Sequence, residues 1–318
     1  MSDILKFIDG YMNGNAWEDL CVQCYRLRYQ KENYTAIPAT YGGDAGIEGF
    51  TNHGIVHQCY CPERDYSDNE LYNHQRDKLS NDIEKLKKNA QRFRSLGVPP
   101  IFEWHFNIPE YKDARLLQHA ETKRKEILKA KNDAPSEYLH IADGFRIVIK
   151  TADDFKPEIS RIIRTNLSDM KLNAAIKHND NPDWSKCESE KVDNIKRKIK
   201  AVMLLDDDQN EDLKHVVDLY IDYYLSGLEI LNSLRVSFPI IYEDIYKLEQ
   251  SYKREVQIKT RINTNKQMNR ELFEGILDDF HAKLQSQFSD HFTEASINEL
   301  KQDLVASWLA DCSMMFRS

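Results

Sequence analysis

The chain has 318 residues, enough for one large domain or two ordinary ones with a sizeable core. A hydrophobic content of 41% and a charged content of 30% describe a globular protein, and no stretch approaches the ~20 apolar residues of a membrane span. A net charge of −8 excludes coating of nucleic acid by bulk electrostatics, so any such contact has to come from a local patch. The opening residues 1–7 have neither a basic leader nor a long apolar run, so no signal peptide is expected. Six cysteines without dense spacing point to reduced thiols and a cytoplasmic location.

In chain order, residues 3–32 read as a helix, because Trp17, Leu20, Cys21, Cys24, Tyr25 and Leu27 recur near a 3.6 spacing, with Asn15 as its cap. Glu18 on that helix is either a solvated surface carboxylate or an acid turned toward a site. Cys21-x-x-Cys24 and Cys59-x-Cys61 read as small buried apolar residues or, alternatively, as a four-thiolate zinc set.

A Gly-rich turn, Tyr41-Gly42-Gly43-Asp44-Ala45-Gly46, then delivers two carboxylates four residues apart, Asp44 and Glu48. Residues 47–50 and 55–60 read as two strands joined by Thr51-Asn52-His53-Gly54, since β-branched and aromatic residues flank a Gly/Asn turn. Alternation puts Val56, Gln58 and Tyr60 on one face of the second strand and His57, Cys59 and Cys61 on the other. The hairpin brings Glu48, Gln58 and Tyr60 near one another.

The run Gly-Gly-Asp-x-Gly-Ile-Glu-Gly, followed by a short hairpin and Gln-x-Tyr, resembles the core of Mrr-type restriction endonucleases of the PD-(D/E)XK superfamily. The resemblance spans roughly residues 10–160 and implies a restriction-endonuclease-like α/β domain with a mixed central sheet. It also implies a metal-dependent DNA endonuclease using Mg²⁺ or Mn²⁺. Position by position it makes Glu48 the metal carboxylate, Gln58 its second-strand partner and Asp44 a supporting acid, with Glu18 as a further acid from the preceding helix. Tyr60 stands where the family carries its lysine. Nucleases of this superfamily sometimes take that cation from a neighbouring helix, which makes Lys78 the candidate and Lys85 the second choice.

Past a polar loop, residues 70–95 read as a helix buried through Leu79, Ile83, Leu86, Ala90 and Phe93, with a basic face including Arg76, Lys78, Lys85, Lys87, Lys88, Arg92 and Arg94. That face suits phosphates or simply solvent. Residues 99–109 form an apolar strand between prolines, 111–131 a helix, 138–141 and 145–150 two short strands, and 153–164 a closing helix. Strand, helix, strand implies a parallel crossover. His105 and His119 read as partly buried histidines without a metal-ligand partner.

Residues 1–165 thus form the nuclease-like domain, 166–195 a polar linker or arm, and 196–318 an all-α domain with no catalytic motif. Four helices are marked in it by Val216, Leu219, Tyr220, Tyr223, Tyr224, Leu228 and Leu231; by Ile240 to Tyr252; by Leu272 to Leu284; and by Ile297 to Leu309. Asp206-Asp207-Asp208 reads as a solvated loop or helix start. The helical domain is expected to mediate oligomerisation or partner docking, with DNA as the substrate of the first. In bacteria that architecture resembles effectors of anti-phage defence. The alternative is an inactive nuclease-fold subunit that binds DNA or scaffolds a complex.

Overall fold

A computed structural model describes residues 3–38, 45–174, 185, 187–205, 207, 210–311 and 313–317. Asp44, Asp206 and Asp208 lie outside them. The chain divides into two compact units, one of Met1–Lys6 and Gly10–Ile162, the other of Phe7–Asp9 and Ile163–Ser318.

The first unit is built on a mixed five-stranded sheet in the order β1-β2-β3-β4-β5: Thr35–Ala36, Gly49–Phe50, Ile55–Cys59, Ile101–Asn107 and Ile141–Lys150. The first three strands pair antiparallel and the last three parallel. The hairpin between β2 and β3 closes as its turn residues dictate. Gly54 has φ +77°, and a Cβ there would meet the Pro100 carbonyl oxygen at 2.2 Å. Only glycine lets the turn approach β4 this closely. The Gly54 carbonyl in turn accepts from the Phe102 and Glu103 amides, at 2.8 and 3.1 Å.

Helices α1 (Asp3–Lys6) and α2 (Gly14–Arg28) precede the sheet. The cap of α2 is Asn13, whose side chain accepts from the Ala16 amide, and not Asn15 as the sequence suggests. Between β3 and β4 the expected single helix breaks at Asn89 into α3 (Asp68–Lys88) and α4 (Ala90–Ser95). Asn89 leaves the helical backbone and turns its side chain onto the Lys85 carbonyl, the local competition that makes asparagine a helix ender. Helix α5 (Arg115–Asp133) makes the crossover to β5, and α6 (Lys156–Arg164) follows a 3-10 turn. The two short strands expected at 138–141 and 145–150 are one strand, β5, with a register irregularity in its pairing near Ile101 and Glu103.

Leu79, Ile83 and Leu86 of α3, Leu116, Ala120 and Ile127 of α5, and Val56, Trp104 and Phe106 of the sheet form one core. Trp17, Cys21, Cys24 and Tyr25 of α2 are buried as well. Tyr25 stacks on His57 at 4.1 Å, so α2 covers the sheet face bearing the odd-numbered residues of β3.

The second unit is helical: α7 (Ser189–Met203), α8 (Glu211–Ser237), α9 (Pro239–Ile262), α10 (Asn269–Phe288) and α11 (Glu294–Ala310). Helix α7 begins inside the stretch read as a linker. Its buried set, Ile195, Lys198, Ile199 and Val202, includes a lysine, which conceals the apolar stripe in the sequence. The buried face of α8 is Leu213, Val217, Tyr220, Ile221, Ile230 and Leu234, while Leu219 and Leu228, expected inside, are exposed. Gly227 fixes that rotation: a Cβ there would sit 2.7 Å from Cβ of Asp303, so α8 turns its bare backbone to α11.

Tyr252 stacks on Phe280 at 5.3 Å and Phe280 meets Trp308 at 4.7 Å. The Trp308 indole donates to Glu249 Oε1 at 2.9 Å. Lys198 is fully buried and donates to the carbonyls of Trp308, Leu309 and Asp311, serving the unpaired end of α11. Phe7–Asp9 joins this unit through a small ribbon. Ile8 pairs antiparallel with Leu172, and Leu172 pairs parallel with Phe292. Among the described residues no helix is long and apolar enough to cross a membrane.

Candidate functional site

The turn that presents Glu48 is held from both sides. Ala45 and Gly46 adopt left-handed backbone conformations, φ 53° and 88°. A Cβ at Gly46 would lie 2.7 Å from the Asp82 carbonyl of α3, and the Trp104 indole donates to the Gly46 carbonyl at 3.0 Å. The turn is thereby pinned between α3 and β4. Next, the Glu48 amide donates to the His57 carbonyl while Gly49 is the residue in register with His57. Two residues face one, which is a β-bulge, and it aims Glu48 away from regular alternation. Gly49 cannot carry a side chain, because its Cβ would fall 2.3 Å from the hydroxyl of Tyr34, which passes there to reach His57 Nε2 at 2.7 Å.

Glu48 is 6% exposed and Gln58 1%. Gln58 Nε2 donates to Glu48 Oε1 at 2.7 Å. Glu48 Oε2 and Gln58 Oε1 are both buried and, among the described residues, have no hydrogen-bond partner. Burial pushes the Glu48 carboxyl up to about 8; the Cys59 thiol and amide and the Lys78 charge oppose the rise, and Glu18 adds to it. Cys59 Sγ lies within 4.8 Å of an oxygen of that carboxylate. Glu18, half-buried on α2, and Lys78, on α3, both act on the Glu48 charge, so the hairpin edge gathers groups from two helices.

Lys78 is not idle. Its Nζ lies 2.7 Å from Oδ2 of Asp82, and Lys85 lies 2.9 Å from Oδ1 of the same carboxylate, which is wholly buried. Asp82 escaped sequence reasoning, although its spacing of four from Lys78 and three from Lys85 marks an ion-paired face. Tyr60 is half-buried against Phe106, with rings 6.5 Å apart, and burial pushes its phenol up to about 12. It brings no charge to the position of the family's lysine.

The α2 side of the sheet holds a polar network around His57 and His105, of which the sequence suggests only that His105 is a partly buried histidine and that His57 shares a strand face with Cys59. His57 Nδ1 lies 3.9 Å from Glu48 Oε2 and 3.8 Å from Cys59 Sγ. Glu48, His57 and Cys59 form the one group of potential metal ligands found among the described residues, with ligand atoms within 4.8 Å of one another. Burial holds the His57 imidazole near 3, so it is neutral. The signal was present in the sequence: His57 and Cys59 are two apart on one strand and share a face. The Cys21 thiol lies beside that of Cys59, whereas Cys24 and Cys61 do not join them.

Further along, the Tyr25 hydroxyl meets His105 Nδ1 at 2.7 Å and Asn107 Oδ1 at 3.2 Å, and His105 Nε2 meets Glu103 Oε2 at 2.7 Å. Burial lowers the His105 pKa, against the pull of Glu103; Lys150 and Arg28 lower it further. Burial likewise lowers that of His140. A histidine whose pKa falls on folding contributes stability that is whole above its unfolded value, about 6.5, and is lost as pH drops below it. Glu103 is lowered, first by its bond to His105, and adds a loss of the same sign below its ordinary value of 4.5. The raised Glu48 carboxyl acts in the opposite sense over the same range, so the expectation is a difference: from pH 7 to pH 5 the urea midpoint of the wild type falls relative to that of His105→Gln. A difference that stays constant over that range would refute the neutral-histidine assignment.

No protein-family model matches the chain, nor does any curated protein or solved structure.

Proposed function

We propose that the chain is a metal-dependent endonuclease acting on DNA, with Glu48 as the carboxylate that grips the cation. The observation that carries this reading is the Glu48–Gln58 pair at the hairpin edge, with one oxygen of each buried and unsatisfied. Buried orphan oxygens are costly and rare, and a divalent cation is an occupant that relieves both at once. A helix followed by a mixed five-stranded sheet agrees with the α/β domain with a mixed central sheet that the resemblance implies, which supports the reading.

A bound divalent cation supplies a polarised phosphoryl oxygen and a water made nucleophilic at neutral pH. The chain's own residues do the rest. Glu48 holds the cation, the Gln58 amide turns to orient it, and Glu18 faces the same carboxylate from α2. Lys78 is a positive charge that acts on that carboxylate, suited to the charge that develops on the phosphate, with Asp82 fixing its ammonium. Lys87, Lys88 and Arg94 line a shallow hollow on α3 and α4 where a phosphate backbone could rest.

Plasmid cleavage with Mg²⁺, Mn²⁺ or Zn²⁺, each supplied separately, tests this. Glu48→Ala is expected to lose about 100-fold or more of the activity, and Lys78→Ala roughly 10–100-fold. Equal cleavage by wild type and Glu48→Ala would end the proposal.

A second reading, an inactive nuclease-fold subunit that binds DNA or scaffolds a complex, is favoured by Tyr60 in the lysine position and by the near-complete burial of Glu48, His57 and Gln58. Under either reading the helical unit serves assembly, with a partner protein or a second copy, in a cytoplasmic anti-phage system. Exposed Leu219, Leu228, Ile258 and Ile262 support that role.

A further inference from the structure

We propose that Glu48, His57 and Cys59 chelate a borderline divalent ion, Zn²⁺ being the natural fit, in place of the Mg²⁺ that the nuclease resemblance implies. The inference deepens the metal-dependent reading by naming its ion, but the chelation itself needs no nucleic acid.

The geometry is close to a formed site. Zinc holds sulfur at about 2.3 Å and nitrogen or oxygen at about 2.0–2.2 Å in a tetrahedron, so its ligand atoms stand about 3.3–3.7 Å apart. His57 Nδ1 is 3.9 Å from Glu48 Oε2 and 3.8 Å from Cys59 Sγ, and all three ligand atoms fall within 4.8 Å. Small side-chain rotations close the gap.

The surrounding groups are those that a ligated histidine needs. Tyr34 sits 2.7 Å from Nε2 and the Asn107 amide Nδ2 sits 3.4 Å from Nδ1; in the tautomer with its proton on Nε2, accepted by the Tyr34 hydroxyl, the Nδ1 lone pair faces the carboxylate and thiol. Tyr25 stacks on the imidazole at 4.1 Å and fixes its plane. Gln58 fixes Glu48 through Oε1 and leaves Oε2, buried and unpartnered, aimed into the cluster. Asn107 Nδ2 reaches the same gap through two long contacts, 3.4 Å to His57 Nδ1 and 3.7 Å to Cys59 Sγ, and is the group an ion displaces. Three protein ligands leave a fourth position open.

The donors select the ion. Mg²⁺ demands six oxygens in an octahedron near 2.1 Å and keeps several of its waters. A cluster buried on every side, offering one oxygen, one imidazole nitrogen and one sulfur, suits Zn²⁺ and not Mg²⁺.

The full chain, stripped with a chelator and titrated calorimetrically with Zn²⁺, Co²⁺ and Mg²⁺ separately, tests this. One Zn²⁺ per chain is expected, with a thiolate-to-cobalt charge-transfer band on Co²⁺ and no Mg²⁺ binding at this site. Glu48→Gln and Cys59→Ser, each checked for a native melting transition, should weaken Zn²⁺ by roughly 100-fold or more, and Cys59→Ser should abolish the cobalt band. Cys24→Ser and Cys61→Ser should change neither. If a buried variant fails to fold, the cobalt band of the wild type and its survival in Cys61→Ser still decide. Absence of stoichiometric Zn²⁺ in the wild type, or a cobalt spectrum without the thiolate band, overturns the proposal. Zinc binding without DNA cleavage upholds this site and defeats the nuclease reading; cleavage with Mg²⁺ alone by a protein that binds no Zn²⁺ does the reverse.

Discussion

Glu48→Gln is expected to raise the melting temperature of the metal-free chain at pH 7 by roughly 4–8 °C, the equivalent of about 2 kcal/mol at 2–4 °C per kcal/mol in a protein of this size. The cause is the same burial that makes the residue interesting. The carboxyl titrates near 8 in the fold and near 4.5 when unfolded. A folded pKa above the unfolded one favours the fold at low pH, and that advantage is lost as pH rises from 4.5 through 8. At neutral pH the wild type therefore either holds a proton it would shed on unfolding or buries an uncompensated charge. Glutamine keeps Oε1 for the Gln58 amide and carries no such cost. The difference between variant and wild type should vanish near pH 4.5 and be largest near pH 8, read by differential scanning calorimetry. A variant less stable than wild type at every pH would mean that the carboxylate is a structural partner and not a waiting ligand.

Lys198→Met is expected to act as strongly in the opposite direction, in the helical unit. Lys198 is 1% exposed and donates to Leu309 O at 2.9 Å, to Trp308 O at 3.2 Å and to Asp311 O. Methionine retains most of the stem but leaves those carbonyls buried and unpaired at the end of α11, each a cost of about 1–3 kcal/mol. Removing a buried ammonium returns part of its desolvation penalty. Since several acceptors are orphaned for one charge relieved, a net loss of about 2–3 kcal/mol and a fall of roughly 5–10 °C are expected. Amide exchange in α11 should accelerate more than in α9. An unchanged melting transition would show that solvent can reach those carbonyls.

What the sequence discloses follows from the range of each interaction. The β2–β3 hairpin rests on the local turn Thr51-Asn52-His53-Gly54, and with it the meeting of Glu48 and Gln58. The even face of β3 and the buried stripe of α3 are likewise periodic and local. The rotation of α8 about Gly227 and the burial of Lys198 are set by groups far along the chain, and no window of sequence holds them. The same limit applies to the cysteines. Their CxxC and CxC spacings suggest two pairs, yet Cys21 and Cys59, one from each, are the ones that adjoin, because α2 lies over β3. Asp44 stands outside the described residues.

The ribbon of Ile8, Leu172 and Phe292 bears on how the polypeptide is made. The Phe7 carbonyl and Asp9 amide pair with Asn173 and Lys171, and Leu172 in turn pairs with His291 and Thr293. The helical unit is thus closed by a segment that precedes the whole sheet in sequence, and it cannot close before residues 171–173 and 291–293 have both been made. A fragment starting at residue 163 would lack that closing strand, and truncation before Phe7 and truncation after Asp9 should differ sharply in solubility.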